Sequence, residues 1–263
     1  MPISRNRLIA ISLGAVVIAI AIAFLLRRHS RSAVDPSGLV FGPSRPVVVR
    51  DSSVSLEPPA PPDAAGLAAT LRDSSWQARL GAVGALRGRT DIPVARRAEI
   101  LLQGLAREIA QPTESLPFPG SYLPATSTFR LQFLWGMEWL GRDAIGPARQ
   151  AAERAGGETR EWMLLTQAGA GDIQASPGLR ELLRTSRQGP VRMTAARLLG
   201  RLRDRSALPD LQAALKDSFT AITEAGDLDV PSHSFYPVRE QAAGALQALG
   251  VKVERRGNDF VVR

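Results

Sequence analysis

No cysteine occurs among the 263 residues, which excludes thiolate nucleophiles, disulfides and cysteine-ligated metal centres together. Histidine is nearly absent: His29 and His233 are the two present. Ser232 and Ser234 flank His233, but neighbouring side chains in an extended loop point apart, so no Ser–His–Asp arrangement is expected. Lysine is scarce too, with 31 arginines against Lys216 and Lys252. The net charge of +8 is not concentrated. Residues 1–62 hold seven basic and three acidic side chains and residues 63–263 hold 26 and 22, so each part carries +4. A nucleic-acid reader would show a basic stripe; here both signs are mixed, and no nucleic acid is expected as a partner. Asp227 and Asp229 with Glu224 lack the glycine and ligand spacing of a calcium loop and read as a solvated acidic loop. Catalytic residues, cofactors and metals are all expected to be absent.

What the chain does contain is repetition. The segment from Pro190 to Leu199 (PVRMTAARLL) returns 47 positions later from Pro237 to Leu246 (PVREQAAGAL). Thr159 through Asp172 aligns with Val191 through Asp204 at an offset of 32 without a gap, and Pro177, Leu179 and Leu183 align with Pro209, Leu211 and Leu215. Leu67 to Leu86 fits the same template. Repeated units of this length read as stacked helix pairs rather than a closed globule. Val191, Ala195, Leu198 and Leu202, and again Val238, Ala242, Leu246 and Leu249, recur at helical spacing and mark one apolar face. Pro177 and Pro209 fall where the first helix of a pair begins and a missing N–H costs nothing. Four copies of the second helix are expected, starting near Ala78, Thr159, Val191 and Val238.

Each copy carries an arginine in its first turn: Arg79, Arg160, Arg192 and Arg239. The helix dipole disfavours a cation there by roughly 0.3–1 kcal/mol, so a recurrent compensating partner is expected. Asp73, Asp172, Asp204 and Asp217 fall in the turns and would form an inter-repeat ladder with these arginines. Solvated surface arginine is the alternative, since exposed ion pairs contribute little.

The pattern resembles HEAT repeats, in particular the short bacterial kind called phycobilisome-lyase-like. The residues that carry the resemblance are 190–217 and 237–250; it extends to 67–88, weakens at 158–187 where Trp162, Thr166 and Gln167 replace small or apolar residues, and is missing between 90 and 157. The resemblance implies an all-α chain folded as a right-handed α–α superhelix. It implies no activity. The His–Glu pairs by which some HEAT-like enzymes hold iron are absent, and nothing matches a motif specific to bilin lyases.

Leu8 to Leu26 run for 19 residues without a charge, about 28 Å as a helix, close to the hydrocarbon thickness of a bilayer. Arg5 and Arg7 precede the run; Arg27, Arg28 and Arg31 follow it. Residues 1–29 therefore read as a single transmembrane anchor (helix 8–26). Cleavage after Ala21 or Ala23 is the alternative, but Phe24-Leu25-Leu26 carries the apolar run past both sites. The flanking charges nearly balance; a short basic tail before a first span stays inside, which puts the remainder on the extracytoplasmic side of a bacterial inner membrane.

Residues 30–62, ending in Glu57-Pro58-Pro59-Ala60-Pro61-Pro62, read as a stiff spacer, and 63–250 as the repeat solenoid. Two insertions interrupt it: Gln111–Ser127, with Phe118 and Tyr122, and Phe219–Tyr236, with Asp227, Asp229, Phe235 and Tyr236. Long loops in compact domains are often functional, and these residues are the expected partner-binding loops, unless the loops merely cover the stack. Phe129, Phe133, Trp135 and Trp139 lie on an expected helix over 128–140 that is apolar nearly all round and should be buried between layers; an exposed peptide groove is the alternative. Residues 251–263 alternate about Gly257-Asn258 and read as a β-hairpin over the last helix pair. The whole suggests a membrane-anchored, non-catalytic scaffold that binds a protein partner through the solenoid surface. The alternative is an accessory lyase- or chaperone-like factor handling a cofactor or client.

Overall fold

The computed structural model describes residues 62–112, 123–222 and 234–263, all within a unit that runs from Pro59 to Arg263. The 8–26 span and nearly all of the 30–62 linker lie outside the described residues, as do Phe118, Tyr122, Asp227 and Asp229. Among the described residues no helix is long and apolar enough to cross a membrane.

The described chain is mostly helical. In order come α1 (Ala64–Thr70), α2 (Trp76–Gly88), α3 (Val94–Ala110), α4 (Ala125–Leu140), α5 (Ile145–Arg154), α6 (Gly157–Gly169), α7 (Ser176–Thr185), α8 (Gly189–Leu202), α9 (Leu208–Ala214), the short pair β1 (Ala221–Ile222) and β2 (Ser234–Phe235), α10 (Pro237–Ala248), and the strands β3 (Val253–Arg256) and β4 (Asp259–Val262). The helix starts follow from local chemistry. The Asp63 carboxylate accepts the Gly66 N–H at 2.8 Å and the Ser75 hydroxyl accepts that of Ala78 at 3.3 Å, each satisfying a donor that the first turn leaves open. Proline occupies the first or second position of α7, α8, α9 and α10, where it removes no helical bond. Arg203, in the left-handed conformation (φ 56°), ends α8.

Contacts between helices run in two series. The odd-numbered α1 packs on α3, α3 on α5, and α7 on α9; the even-numbered α2 packs on α4, α4 on α6, α6 on α8, and α8 on α10. Helices that follow one another also touch: α1 with α2, α3 with α4, α5 with α6, α7 with α8, and α9 with α10. The segments that begin near Thr159, Val191 and Val238 thus lie side by side. One apolar cluster joins them, from Leu67 and Leu71 through Leu101, Phe129, Trp162 and Leu198 to Leu246 and Leu249. Each such side chain, once fully buried, contributes about 1.5–3 kcal/mol before chain entropy is set against it.

Between 90 and 157, where the repeat motif is missing, α3 and α4 nevertheless form a further pair inside the series. α4 begins at Ala125, three residues earlier than expected. Its burial also corrects the expectation of a helix covered on all sides. Phe129 and Phe133 are buried, their rings 5.5 Å apart and edge to face, whereas Trp135 is 40 % and Trp139 66 % exposed. The physical reason is angular. At 100° per residue Thr128, Gln132, Trp135 and Trp139 share one narrow stripe, and the neighbouring helices cover the rest of the circumference.

The second insertion is pinched at its neck, because β1 pairs antiparallel with β2 (Ala221 with Phe235, Ile222 with Ser234). At the C-terminus β3 and β4 form a two-stranded antiparallel sheet in which Val253 faces Val262 and Arg256 faces Asp259. Gly257 takes the positive φ (63°) needed at the first central position of a two-residue II′ connection. Val251, Val253, Phe260 and Val262 pack on the apolar cluster, and both strands contact α10.

Candidate partner-binding face

The first-turn arginines do find partners, though mostly not those expected. Arg79 donates through Nη1 to the Asp73 carbonyl oxygen at 2.7 Å, and its Nη2 meets the Glu108 carboxylate at 3.4 Å. Arg192 donates to the Ser186 carbonyl at 2.8 Å and grips the Asp217 carboxylate with two bonds of 2.7 and 2.9 Å. In both cases the guanidinium reaches back six residues to the turn before its own helix and across to a carboxylate near the end of the next odd-numbered helix. Arg239 follows suit, with Nε to the Asp217 carbonyl at 2.6 Å and Nη1 to Asp259 at 2.9 Å. The carbonyl and carboxylate oxygens offset what the helix dipole costs.

Of the four aspartates, only the Asp217 carboxylate receives one of these arginines. Asp73 accepts the Ser75 N–H at 2.7 Å, Asp204 the Ser206 N–H at 2.9 Å, and Asp172 the Gln174 N–H at 3.1 Å. Asp217 likewise accepts the N–H two residues on, from Phe219 at 2.8 Å, so that bond does not decide which aspartate meets an arginine. Asp172 also receives Gln167 at 2.8 Å and Arg149 at 2.9 Å. Arg160 is exposed and makes no ion pair among the described residues; at that level Glu161 instead accepts from the Ser186 hydroxyl at 3.0 Å. The contact that sequence reasoning missed is on α4, where the buried Arg130 binds Glu158 and stacks over the Trp162 ring at 5.7 Å. It is the sixth residue of its helix, where Arg79, Arg160 and Arg192 are the fourth and Arg239 the third, so the repeat template passes over it.

Two carboxylates in this system are held acidic. Burial pushes the Asp217 carboxyl up, but hydrogen bonds from Arg192 and the Phe219 N–H, with the nearby Arg192 and Arg239 charges, outweigh it and leave the group below its ordinary value. Asp172 behaves alike, with Gln167 and Arg149 overcoming its burial. A carboxylate whose folded pKa is depressed contributes stability that is complete above its unfolded value, near 4, and that fades as pH falls through the folded value. Thermal unfolding followed by circular dichroism should therefore show no contribution of these groups to pH dependence from about pH 5 to 8, and a loss below about pH 4 that Asp217→Asn reduces.

These contacts hold helices together; the open surface lies elsewhere. Among the described residues the most exposed large apolar side chain is Trp139. Arg87, in the last turn of α2, places its guanidinium 5.2 Å from the centre of the Trp139 ring. On the neighbouring face of α4, Glu138 binds Arg197 and, at 2.9 Å, Arg201, both from α8. That reach passes the end of α6 because Gly169 has no side chain. A Cβ there would stand 2.7 Å from Leu134 and 3.2 Å from the Glu138 side chain. Just beyond α4, Arg142 lines an open depression of about 510 Å³ with Ile145, Arg149, Asp172, Ile173 and Arg201. Ile173 is itself 53 % exposed.

Trp135, Glu138 and Trp139 are spaced i, i+3 and i+4 on α4, and Arg142 follows past the break at Gly141 (φ 69°), in the depression that Arg201 also lines. Tryptophan and arginine are the residues that dominate protein interfaces when buried by a partner, and adjacent exposed apolar groups rimmed by polar ones mark such surfaces. The arginines Arg87 and Arg201 sit in the last turns of α2 and α8, where the dipole favours them. Among the loop residues expected to bind, Tyr236 lies under the Arg239 guanidinium at 3.8 Å and precedes α10, and Phe235 pairs with Ala221. No protein-family model matches the chain, and no curated protein is significantly similar to it.

Proposed function

We propose that the chain is a membrane-tethered scaffold, a right-handed α–α superhelix of HEAT-like helix pairs, that binds a protein partner and catalyses no reaction. The observation that carries this reading is the exposed Trp135–Trp139 strip on α4, joined by arginines from α2 and α8. The two series of helix contacts and the single apolar cluster support the solenoid. The uncharged run from Leu8 to Leu26 supports a single-pass anchor with the helical unit on the extracytoplasmic side of a bacterial inner membrane.

The double variant Trp135→Ala/Trp139→Ala tests it. Both side chains are exposed, so the melting temperature should move by no more than a few degrees, as surface substitutions do. Proximity labelling by the full-length chain in its native cell should lose a specific neighbour that the unaltered chain marks. An unchanged set of neighbours, or none above background for the unaltered chain, would refute the scaffold as described. Protease added outside the intact inner membrane should digest the helical unit; full protection would reverse the proposed orientation.

A further inference from the structure

Resting on the scaffold reading, we infer that the α4 strip receives an acidic linear segment of the partner, whose aliphatic or proline residues lie on Trp135 and Trp139 and whose carboxylates meet the arginines on either side. The charge census carries this. Arg87, Arg142, Arg197 and Arg201 border the strip; Glu138 is shared by Arg197 and, at 2.9 Å, Arg201, and the exposed Asp143 follows Arg142. Four cations against two carboxylates leave a surplus of two. Arg142 makes no ion pair among the described residues, and Arg87 is occupied by the Trp139 ring. Stacking of this kind holds a guanidinium in place while leaving its edge donors free for a carboxylate.

The dimensions fix the kind of segment. The way from Arg87 to Arg201 is short: the Arg87 guanidinium lies 5.2 Å from the Trp139 ring, and Arg201 lies 2.9 Å from the carboxylate of the adjacent Glu138. A short extended segment, rising about 3.3 Å per residue, spans it. Flat indole faces accept proline and aliphatic side chains with little ordering cost, because tryptophan has two rotatable bonds. Glu138 is already bound by Arg197 and Arg201, so the carboxylates of the segment are directed to Arg87 and Arg142 at the borders.

The test uses the full-length chain in nanodiscs of zwitterionic lipid and two fluorescent peptides of about twelve residues. One alternates aspartate and glutamate with leucine and proline; the other replaces every acid by lysine. The acidic peptide should bind in the micromolar range, quench tryptophan fluorescence, and weaken as salt rises. Trp139→Ala and Arg142→Glu should each weaken it by about tenfold or more, equivalent to about 1.4 kcal/mol, with the circular dichroism spectrum unchanged. Equal binding of both peptides, no binding of the acidic one, or indifference to both variants would overturn the inference. So would tryptophans that respond only to added anionic vesicles, or self-association of the chain that Trp139→Ala abolishes. Failure here while the unaltered chain still marks a specific neighbour in cells removes the acidic segment and leaves the scaffold; no neighbour above background for the unaltered chain removes both.

Discussion

Gly200→Ala should destabilise the helical unit by about 2–4 kcal/mol, an effect at the upper end of what overpacking causes. α8 and α10 meet at Gly200 so closely that an added Cβ would stand 2.6 Å from the Ala245 Cα and 2.7 Å from its Cβ. The obstacle is backbone, not the end of a flexible side chain, so one helix has to shift. α10 packs on α8 and α9 and carries the terminal strands, hence hydrogen exchange should rise first in α10 and in residues 253–262. The control lies next to the contact. A Cβ at Gly244 on α10 would meet nothing within 4 Å, so Gly244→Ala should stabilise by about 0.5–1 kcal/mol through helix propensity alone. Chemical denaturation of the two variants should give shifts of opposite sign; shifts of the same sign would mean that α8 and α10 do not meet in this way.

Asp217→Ala should cost about 2–4 kcal/mol, mainly through what it leaves behind. The Arg192 and Asp217 side chains are 16 % and 11 % exposed, and the bidentate contact joins α8 to the turn after α9. Removing the carboxylate strands a mostly buried guanidinium with the Ser186 carbonyl and also deprives the Phe219 N–H of its acceptor at 2.8 Å. An unpaired buried charge costs more than the pair contributes. A unit of this size loses about 2–4 °C per kcal/mol, so the melting temperature should fall by about 5–15 °C. Arg192→Met combined with Asp217→Ala should recover part of the loss, because no charge is then left without a partner. A double variant as unstable as the sum of its parts would show that the two side chains act independently.

What could be read from the residues, and what could not, divides along a physical line. α8 and α10 were legible because one alanine- and leucine-rich stretch returns 47 positions on, and α6 because it aligns with α8 at an offset of 32. The closest approach, Gly200 to Ala245, falls inside that repeated stretch. α4 belongs to the same series but escaped the template, because Phe129 and Phe133 do with two rings what smaller residues do elsewhere and Arg130 sits deeper in its helix. Its tryptophans were legible as apolar but not as exposed. A helix apolar all round carries no moment to say which face stays uncovered, and only the positions of α2, α3 and α6 decide that Trp135 and Trp139 face outward. The arginine partners were illegible for another reason. Glu108 and Glu158 lie 29 and 28 residues from Arg79 and Arg130, in the next pair, and nothing local distinguishes them from other surface acids. Turn aspartates looked the better acceptors, yet all four accept a backbone N–H two residues on and only Asp217 also lies where a first-turn arginine reaches its carboxylate. Phe118, Tyr122, Asp227 and Asp229 fall outside the described residues, so the expected loops contribute no geometry.

Site-specific photocrosslinking in the native cell tests the central claim, that the α4 strip is where the partner sits. A photoreactive residue is placed at Trp139 of the full-length chain and, in a separate strain, at the exposed Gln150 of α5, on the odd-numbered series. The account predicts a discrete crosslinked protein from position 139 that is absent from position 150. The same adduct from both positions, or one from position 150 alone, would contradict it.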